Sequence, residues 1–237
     1  QTLEPESVST GVGSRASQLV QQHRSPLTKG SMKMSQNNNS RSLNWRGVDL
    51  VTTAILSAAL GVAFWGFDTF VYPITSTIGN IYPPLSELQL GVWIIPAVLG
   101  GVLVRKPGAA LYAELIAASL ELVLGGNPWS YTVLISGACQ AIGVELVLAL
   151  IRYRRVSLPL AALGGAISAV AEVIYEYFSW VPDYSPVQKA VYMVCGVISG
   201  ALIAGGLGWG IVQALGKSGV INAFASGREA KLKSTLN

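Results

Sequence analysis

The sequence has few of the side chains that build metal and redox sites. Its 237 residues include two cysteines and one histidine. The histidine, His23, lies in a polar stretch, while Cys139 and Cys195 both lie in apolar runs, so no disulfide framework is indicated. These absences exclude histidine-rich metal chemistry, and we expect neither a metal nor a cofactor.

Charged side chains are also scarce. They make up 12% of the chain, whereas 51% of the residues are hydrophobic. Globular proteins average about 25% charged residues. The mean hydropathy is +0.49. This composition excludes a disordered chain and favours an integral membrane protein over a water-soluble domain.

Six apolar segments are long enough, or nearly long enough, to cross a bilayer as helices of about 20 residues. They are residues 48–72, 88–104, 108–124, 131–151, 158–178 and 190–215. Pro96 predicts a kink or break in the second of them. The sequence therefore predicts an all-α integral membrane protein whose six transmembrane helices form one bundle over residues 44–220.

The two ends of the chain differ from this apolar middle. Residues 1–43 are rich in Ser, Gln, Asn and Gly and lack an apolar stretch long enough for a signal peptide, so we expect a disordered leader. The chain begins at Gln1, and Met34 resembles a natural start, which leaves open whether the leader is native. Residues 221–237 are basic and are expected to form a cytoplasmic tail.

Positive charges lie on every second connection between the apolar segments. These basic residues are Arg41, Arg46, Arg105, Lys106, Arg152, Arg154, Arg155, Lys217, Arg228, Lys231 and Lys233. The opposite connections carry Glu87 and Asp183, with Lys189 as the exception. Because Lys and Arg collect on cytoplasmic loops, both termini are predicted to be cytoplasmic. Topology then explains the net charge of +4 without a nucleic-acid partner.

The apolar segments contain carboxyl groups but no Lys or Arg. These acids are Asp68, Glu114, Glu121, Glu145, Glu172 and Glu176. Each carboxylate near the bilayer centre costs about 3 kcal/mol, so these groups must face a cavity, be protonated or meet a cation. Since the chain offers most of them no internal cation, we expect a cationic ligand. Glu145, two turns from Arg152, is interpreted as structural.

Aromatic side chains accompany several of these acids. Trp65 is close to Asp68, and Tyr175 is next to Glu176. Most such residues form belts at membrane interfaces. An aromatic ring beside a buried acid, however, can stack on a flat ligand and help to hold its positive charge.

The combination of these residues resembles the YkoE family, which comprises S components, the substrate-binding membrane subunits of energy-coupling factor (ECF) vitamin transporters. The resemblance covers residues 45–220. The matching stretches are 64–68 (FWGFD), 91–101 (GVWIIPAVLGG), 105–110 (RKPGAA) with Ala113 and Glu114, Glu121 with 125–129 (GGNPW), Gln140 and Glu145 before 152–155 (RYRR), and Tyr175-Glu176.

The resemblance implies a six-helix bundle in a prokaryotic plasma membrane that binds thiamin, or its hydroxymethylpyrimidine moiety, from outside. Such a subunit associates with a transmembrane coupling subunit and two ATPase subunits. Ala54 and Ala58, small residues four apart in the first segment, lie where S components meet the coupling subunit. The family's older association with cobalt transport is not favoured, because cobalt prefers nitrogen donors such as imidazole.

We therefore predict a substrate-binding subunit without enzymatic activity. The predicted binding residues are the acids Asp68, Glu114, Glu121 and Glu176, the stacking residues Trp65, Trp93, Trp129 and Tyr175, and the hydrogen-bonding Gln140. One alternative is a stand-alone proton-coupled carrier of a small cationic metabolite, with Glu114 or Glu145 as its proton site. Another is a scaffold protein whose acids pair with the cations of a partner.

Overall fold

The computed structural model describes residue 2 and residues 43–235. The predicted leader, residues 1–43, lies almost wholly outside this range. Within the described residues every regular element is helical. The main α-helices are α1 Gly47–Gly66, α2 Ile95–Val104, α3 Ala109–Leu124, α4 Val133–Leu150, α5 Leu158–Ser179, α6 Pro186–Ser199, α7 Gly208–Ser218 and α8 Ala225–Thr235. The predicted all-α fold is confirmed.

Three of the apolar segments change helical pitch along their length. α1 continues through a π-helix, Phe67–Val71, into a short α-helical turn and a 3-10 turn. The second segment begins as a 3-10 helix, Pro83–Val92, and becomes α-helical at Ile95. This change of pitch lies at the break that Pro96 predicts. Pro96 occupies the first turn of α2, where the N–H that proline lacks would have no partner within the helix. A π-helix, Gly200–Leu207, joins α6 to α7.

Five helical stretches in the described part of the chain are long and apolar enough to cross a membrane. They are Gly47–Asn80, Pro83–Val104, Ser130–Leu150, Leu158–Ser179 and Pro186–Ser218. The remaining predicted span, α3, has 16 residues. At 1.5 Å per residue it is about 24 Å long, less than the hydrocarbon core of about 30 Å. The count of six spans and the placement of the termini therefore stay predictions.

Helix α2 forms the centre of the bundle, and all ten of its residues are buried. The surrounding helices approach one another closely where they carry glycine. A Cβ atom at Gly143 of α4 would lie 2.0 Å from the backbone nitrogen of Ser168 in α5, and one at Gly165 would lie 2.1 Å from the carbonyl oxygen of Gly200. Side chains are excluded at these crossings, so the backbones themselves are in contact, as is common between membrane helices.

The segment after residue 220 packs on the bundle throughout its described part. Ile221 and Phe224 are buried, and α8 packs against α7 and α2. The hydroxyl of Ser226 donates to the carbonyl oxygen of Leu103 over 3.0 Å. Residues 221–235 thus belong to the same compact unit as the helices before them.

The basic connections meet at one end of the bundle, which we call the basic end and define by Arg46, Arg105, Lys106 and Arg155. Here Asp49, at the start of α1, pairs with Arg46 over 2.7 Å and also with Lys106. Glu229 of α8 pairs with Arg105 over 3.0 Å and with Arg155 over 3.2 Å. The basic side chains therefore fix the packing of this end by neutralising two carboxylates.

Candidate ligand-binding cavity

The opposite end of the bundle encloses a cavity of about 200 Å³. Five carboxyl side chains line it, namely Glu87, Glu114, Glu121, Glu172 and Glu176. Six aromatic side chains complete most of the wall, namely Phe64, Tyr72, Trp93, Trp129, Trp180 and Tyr192. No lysine, arginine or histidine is among the described residues that line it. We call this space the carboxyl cavity.

One pair of carboxyl groups lies beside the indole of Trp93. Asp68, which is 3% exposed, is placed by the π-helical stretch after α1 and accepts a hydrogen bond from Nε1 of Trp93 over 3.1 Å. Its carboxyl group also lies within hydrogen-bond distance of Glu121. Oδ2 of Asp68 and Oε1 of Glu121 have no donor among the described residues. Two carboxylates in contact repel each other unless a proton or a cation lies between them.

A second carboxyl pair lies on the other side of the cavity. Glu87, from the 3-10 helix, faces Glu176 of α5, and both reach the hydroxyl of Tyr192. That hydroxyl donates to Oε2 of Glu176 over 3.0 Å. Oε1 of Glu87 has no donor within residues 43–235. This pair therefore has the same need for a shared proton or an added cation as the first pair.

Two further acids lie deeper between the helices. Glu114 accepts the backbone N–H of Ala97 over 2.8 Å, in the first turn of α2, where the helix dipole favours a negative group. Glu172 accepts a hydrogen bond from the hydroxyl of Ser136. Gln140 lies between them, 2.9 Å from Ser136, and with its amide nitrogen turned toward Glu114 it donates to Oε1 of that residue over 3.3 Å. The cavity floor is therefore a hydrogen-bond network that joins two carboxyl acceptors to a hydroxyl and an amide.

The six carboxyl groups at this end share one electrostatic property. No ion pair joins Asp68 or the five acids of the lining to a basic side chain in the range 43–235, whereas Asp49 and Glu229 at the basic end are each paired. A buried charge without a partner is strongly unfavourable. The arrangement is thus suited to a ligand that brings positive charge or several hydrogen-bond donors.

The aromatic side chains form a cluster around Trp93. Its ring lies edge-on to those of Phe67, Tyr72 and Trp129, with centroids 5.2, 5.8 and 5.3 Å apart. Tyr72 and Trp129 are also in contact, at 5.1 Å. Such a cluster gives a rigid apolar wall next to the Asp68–Glu121 pair, and a flat cationic ring would gain both stacking and cation–π energy there.

The structure brings six of the nine predicted binding residues to the cavity. These are Trp93, Glu114, Glu121, Trp129, Gln140 and Glu176. Asp68 does not line the cavity, but it accepts a hydrogen bond from Trp93, which does. Trp65 instead packs edge-on against Phe70, with centroids 6.0 Å apart, and Tyr175 is half-buried outside the lining. Which of these residues bind a ligand stays a prediction.

Sequence reasoning left Glu87, Glu172 and Tyr192 out of the predicted set. Glu172 precedes Glu176 by four residues, so helical spacing alone could have included it. Glu87 was assigned to an outer loop, but the 3-10 helix turns it inward and leaves it 6% exposed. Nothing in the sequence marks Tyr192 apart from its position on the buried face of α6.

Glu145 has a structural role, as predicted, although its partner is different from the one expected. Its carboxylate accepts the backbone N–H groups of Gly108 and Ala110 over 3.2 and 2.7 Å, at the start of α3. A carboxylate in this position satisfies free N–H groups and complements the helix dipole. Glu145 therefore caps the start of α3, and this contact takes the place of the expected contact with Arg152.

The fold and the cavity define a class, that of multi-helix membrane proteins with an internal site for a small molecule. A family model described as "ABC-type cobalt transport system, permease component" matches residues 48–171. A curated relative, "Putative HMP/thiamine permease protein YkoE" of Bacillus subtilis (strain 168), is 37% identical over 192 residues, which cover 80% of this chain and 94% of the relative. A solved structure, "Crystal structure of an S-component of ECF transporter", has 36% identity and a TM-score of 0.73 and covers 81% of this chain and 96% of its own.

The chain belongs to the YkoE family of ECF transporter S components. It is a multi-pass protein of the bacterial plasma membrane and the substrate-binding subunit of an ECF importer. Membership implies membrane-embedded coupling and ATPase partners. Within residues 43–235, no three His, Cys, Asp or Glu side chains are grouped so that they could hold a metal ion.

Proposed function

We propose that the carboxyl cavity binds thiamin or its hydroxymethylpyrimidine moiety. The observation that carries this proposal is the presence of five carboxyl groups and an aromatic wall in a lining without a basic side chain. Thiamin joins a permanently charged thiazolium ring to a flat aminopyrimidine. The first ring requires negative groups, and the second requires a stacking surface and acceptors for its amino group. The name of the Bacillus subtilis relative supports the same ligands.

The geometry suggests a role for each end of the cavity. The thiazolium would lie near Asp68 and Glu121, where the Trp93 cluster offers aromatic faces. The aminopyrimidine would then lie toward Gln140 and Glu176, whose neighbours supply both donors and acceptors. Binding in this direction would bring a cation to the Asp68–Glu121 pair from the side of Glu121, which lines the cavity.

Tryptophan fluorescence of the purified protein tests this proposal, because Trp93 and Trp129 line the cavity. Thiamin is expected to quench the fluorescence with submicromolar affinity. Glu121→Gln should weaken binding about tenfold, the effect of losing one charge-assisted interaction. Asp183→Asn, which removes an exposed acid outside the cavity, is the matched control and should leave the affinity unchanged. No response below millimolar thiamin or hydroxymethylpyrimidine would contradict the proposal.

We further propose that the face of α1 around Ala54 and Ala58 contacts the coupling subunit. Ala58 lines a shallow apolar groove with Leu115 and Leu120 of α3, and Val51 and Ile55 on the same helix are mostly exposed. Small residues in such a groove let a partner helix approach closely. Ala58→Trp should reduce copurification with the coupling complex but leave thiamin quenching intact. Val194→Trp, at an exposed apolar position of α6, should affect neither.

A proton-coupled carrier acting alone is the second function to test. Glu145 is engaged in capping α3, and Glu114 accepts a backbone hydrogen bond in α2, which gives both carboxylates structural partners. Reconstituted protein without coupling and ATPase subunits should therefore show no thiamin uptake driven by a pH gradient. Such uptake would favour the carrier over the S component.

A further inference from the structure

The Asp68–Glu121 pair lacks a hydrogen-bond donor as well as a cation. Both residues are 3% exposed, and their carboxyl groups lie within hydrogen-bond distance of each other. Oδ2 of Asp68 and Oε1 of Glu121 have no donor among the described residues. An ionised carboxyl group only accepts hydrogen bonds, whereas a protonated one also donates. One proton on either residue would therefore make the contact between them a hydrogen bond.

The surrounding elements offer this pair no positive charge. Nε1 of Trp93 donates to Oδ1 of Asp68 over 3.1 Å, but the indole is uncharged. From α4 the cavity receives Ser136 and Gln140, which do not titrate. The titratable groups that line the cavity beside Glu121 are Tyr72, Glu87, Glu114, Glu172, Glu176 and Tyr192. Each of these groups is neutral or negative, so none can compensate a second negative charge on the pair.

The second carboxyl pair of the cavity has a donor that belongs to the protein. The hydroxyl of Tyr192 donates to Oε2 of Glu176 over 3.0 Å and also reaches Glu87. This hydroxyl stays in place whether or not a ligand is bound. Within residues 43–235 no hydroxyl donates to Asp68 or Glu121, so a proton of the pair itself has to fill that role.

Full ionisation of the Asp68–Glu121 pair would place two like charges in contact inside the bundle. Two carboxyl groups that share one site therefore lose their protons one after the other, and the second proton leaves much less readily than the first. Without a cation nearby, the pair is expected to keep one proton and one negative charge.

A cationic ligand changes this balance from the side of the cavity. Glu121 lines the carboxyl cavity together with Trp93 and Trp129, so a charged ring stacked on these indoles would lie near its carboxyl group. An opposite charge close to a carboxyl group favours the ionised form. The ligand and the proton thus compensate the same negative charge, and the entry of one displaces the other.

We propose that Asp68 and Glu121 share one proton in the ligand-free protein and that a cationic ligand releases this proton to the solvent when it binds. The inference rests on the proposed function, since it requires a permanently charged ligand at this end of the carboxyl cavity. No bond of the ligand is made or broken. The site gains one positive charge from the ligand and loses one with the proton, so its net charge is the same before and after binding.

Isothermal titration of the purified full-length protein tests this inference near neutral pH in a series of buffers that differ in ionisation enthalpy. The slope of the observed binding enthalpy against the buffer enthalpy gives the number of protons released. Thiamin should release about one proton more than hydroxymethylpyrimidine, which has no permanent charge. The Kd of thiamin should fall about tenfold for each unit of rising pH over the range in which the pair is protonated.

Variants locate the proton. Asp68→Asn keeps an acceptor for Nε1 of Trp93 and offers Glu121 an amide donor, so the pair no longer needs a proton. In this variant thiamin should release no more protons than hydroxymethylpyrimidine. Glu87→Gln, the matched change in the second pair, should retain the difference of about one proton between the two compounds, as the linkage assigned to Asp68 and Glu121 requires.

The outcomes separate this inference from the function on which it rests. Binding of thiamin to the natural chain without additional proton release would overturn the shared proton and leave the proposed function in place. Loss of the difference in Glu87→Gln, with its retention in Asp68→Asn, would assign the proton to the other pair and contradict the inference. Failure of both compounds to bind would contradict the proposed function and the inference together.

Discussion

The two ends of this molecule use the same chemical group in opposite ways. At the basic end, Asp49 and Glu229 each contact two basic side chains, and these contacts fix α1, α8 and the loops between them. At the cavity end, six carboxyl groups lie together without a basic partner in the described part of the chain. Four of them, Asp68, Glu87, Glu121 and Glu172, each have one oxygen atom without a donor among the described residues.

The difference separates carboxyl groups that stabilise the fold from carboxyl groups that are suited to binding a cation. Ion pairs formed on folding make the basic end stable without a ligand. Unpaired carboxyl groups raise the free energy of the ligand-free protein, and that energy is recovered when a cation enters. A protein that must release its ligand later benefits from keeping the compensating charge on the ligand rather than on its own chain.

The largest effect is expected from breaking the buried pair of Lys106 and Asp49. Lys106→Met keeps the apolar stem of the side chain but leaves Asp49, which is fully buried, with Arg46 as its remaining partner. Removing one member of a buried ion pair costs about 3 kcal/mol or more. Unfolding in mixed detergent–SDS micelles measures this loss. Glu121→Gln, the matched change at the cavity end, should leave the free energy of unfolding unchanged or raise it, and an equal loss in both variants would remove the distinction between the ends.

Phosphorylated ligands test the sign of the charge in the carboxyl cavity. Thiamin phosphate brings negative charge into a lining with five carboxyl groups and no basic side chain among its described residues. We expect it to bind at least about tenfold more weakly than thiamin, since like charges brought together without a partner are unfavourable. Competition in the fluorescence assay measures the ratio. Equal binding of the two compounds would indicate an unrecognised cation in the site.

Acid should weaken the packing of α8 on the basic end, because Glu229 loses its charge there. The pKa of Glu229 is lowered in the folded protein, so its contribution to stability is complete above its ordinary value of 4.5 and is lost as the pH falls through the folded value. The protection factor of α8 in hydrogen exchange should therefore be constant between about pH 5 and pH 8, where Glu229 stays ionised in either state, and should fall in stronger acid. In Glu229→Gln this acid-dependent change should be absent. A release that begins near neutral pH would assign the effect to another group.

The smallest effect is expected at Trp65. Its ring packs on Phe70 and lies outside the cavity lining. Trp65→Phe should change thiamin affinity by no more than about twofold, because the edge-on aromatic contact is retained. Trp93→Phe, which removes the N–H that Asp68 accepts, is the comparison and should weaken binding more. A larger loss at Trp65 would place this residue in the site after all.

Much of the arrangement was predictable from residue type and spacing. The apolar segments predicted the spans, and unpaired acids beside aromatic residues predicted a cavity that contains Glu114, Glu121 and Glu176. What sequence reasoning missed depends on local pitch. A 3-10 helix turns Glu87 inward, and the π-helix after Gly66 places Asp68 behind Trp93 rather than on the lining itself. Periodicity of 3.6 residues cannot locate either side chain, because neither lies in a regular α-helix.

The packing of residues 221–235 was hidden for a similar reason. Their composition is that of a basic tail, yet Ile221 and Phe224 enter the core and Glu229 reaches two arginines that are far away in the sequence. Contacts between distant segments leave no local pattern, so only the folded chain shows that α8 closes the basic end.

The most direct test of the account compares thiamin with an analogue of the same shape whose thiazolium ring is replaced by an uncharged one. Isothermal titration of the purified protein measures both affinities. If the unpaired carboxyl groups bind the ligand through its positive charge, thiamin should bind about 100-fold more tightly, as coupling energies of close charge pairs predict. Equal affinity of the charged and uncharged compounds would contradict the account.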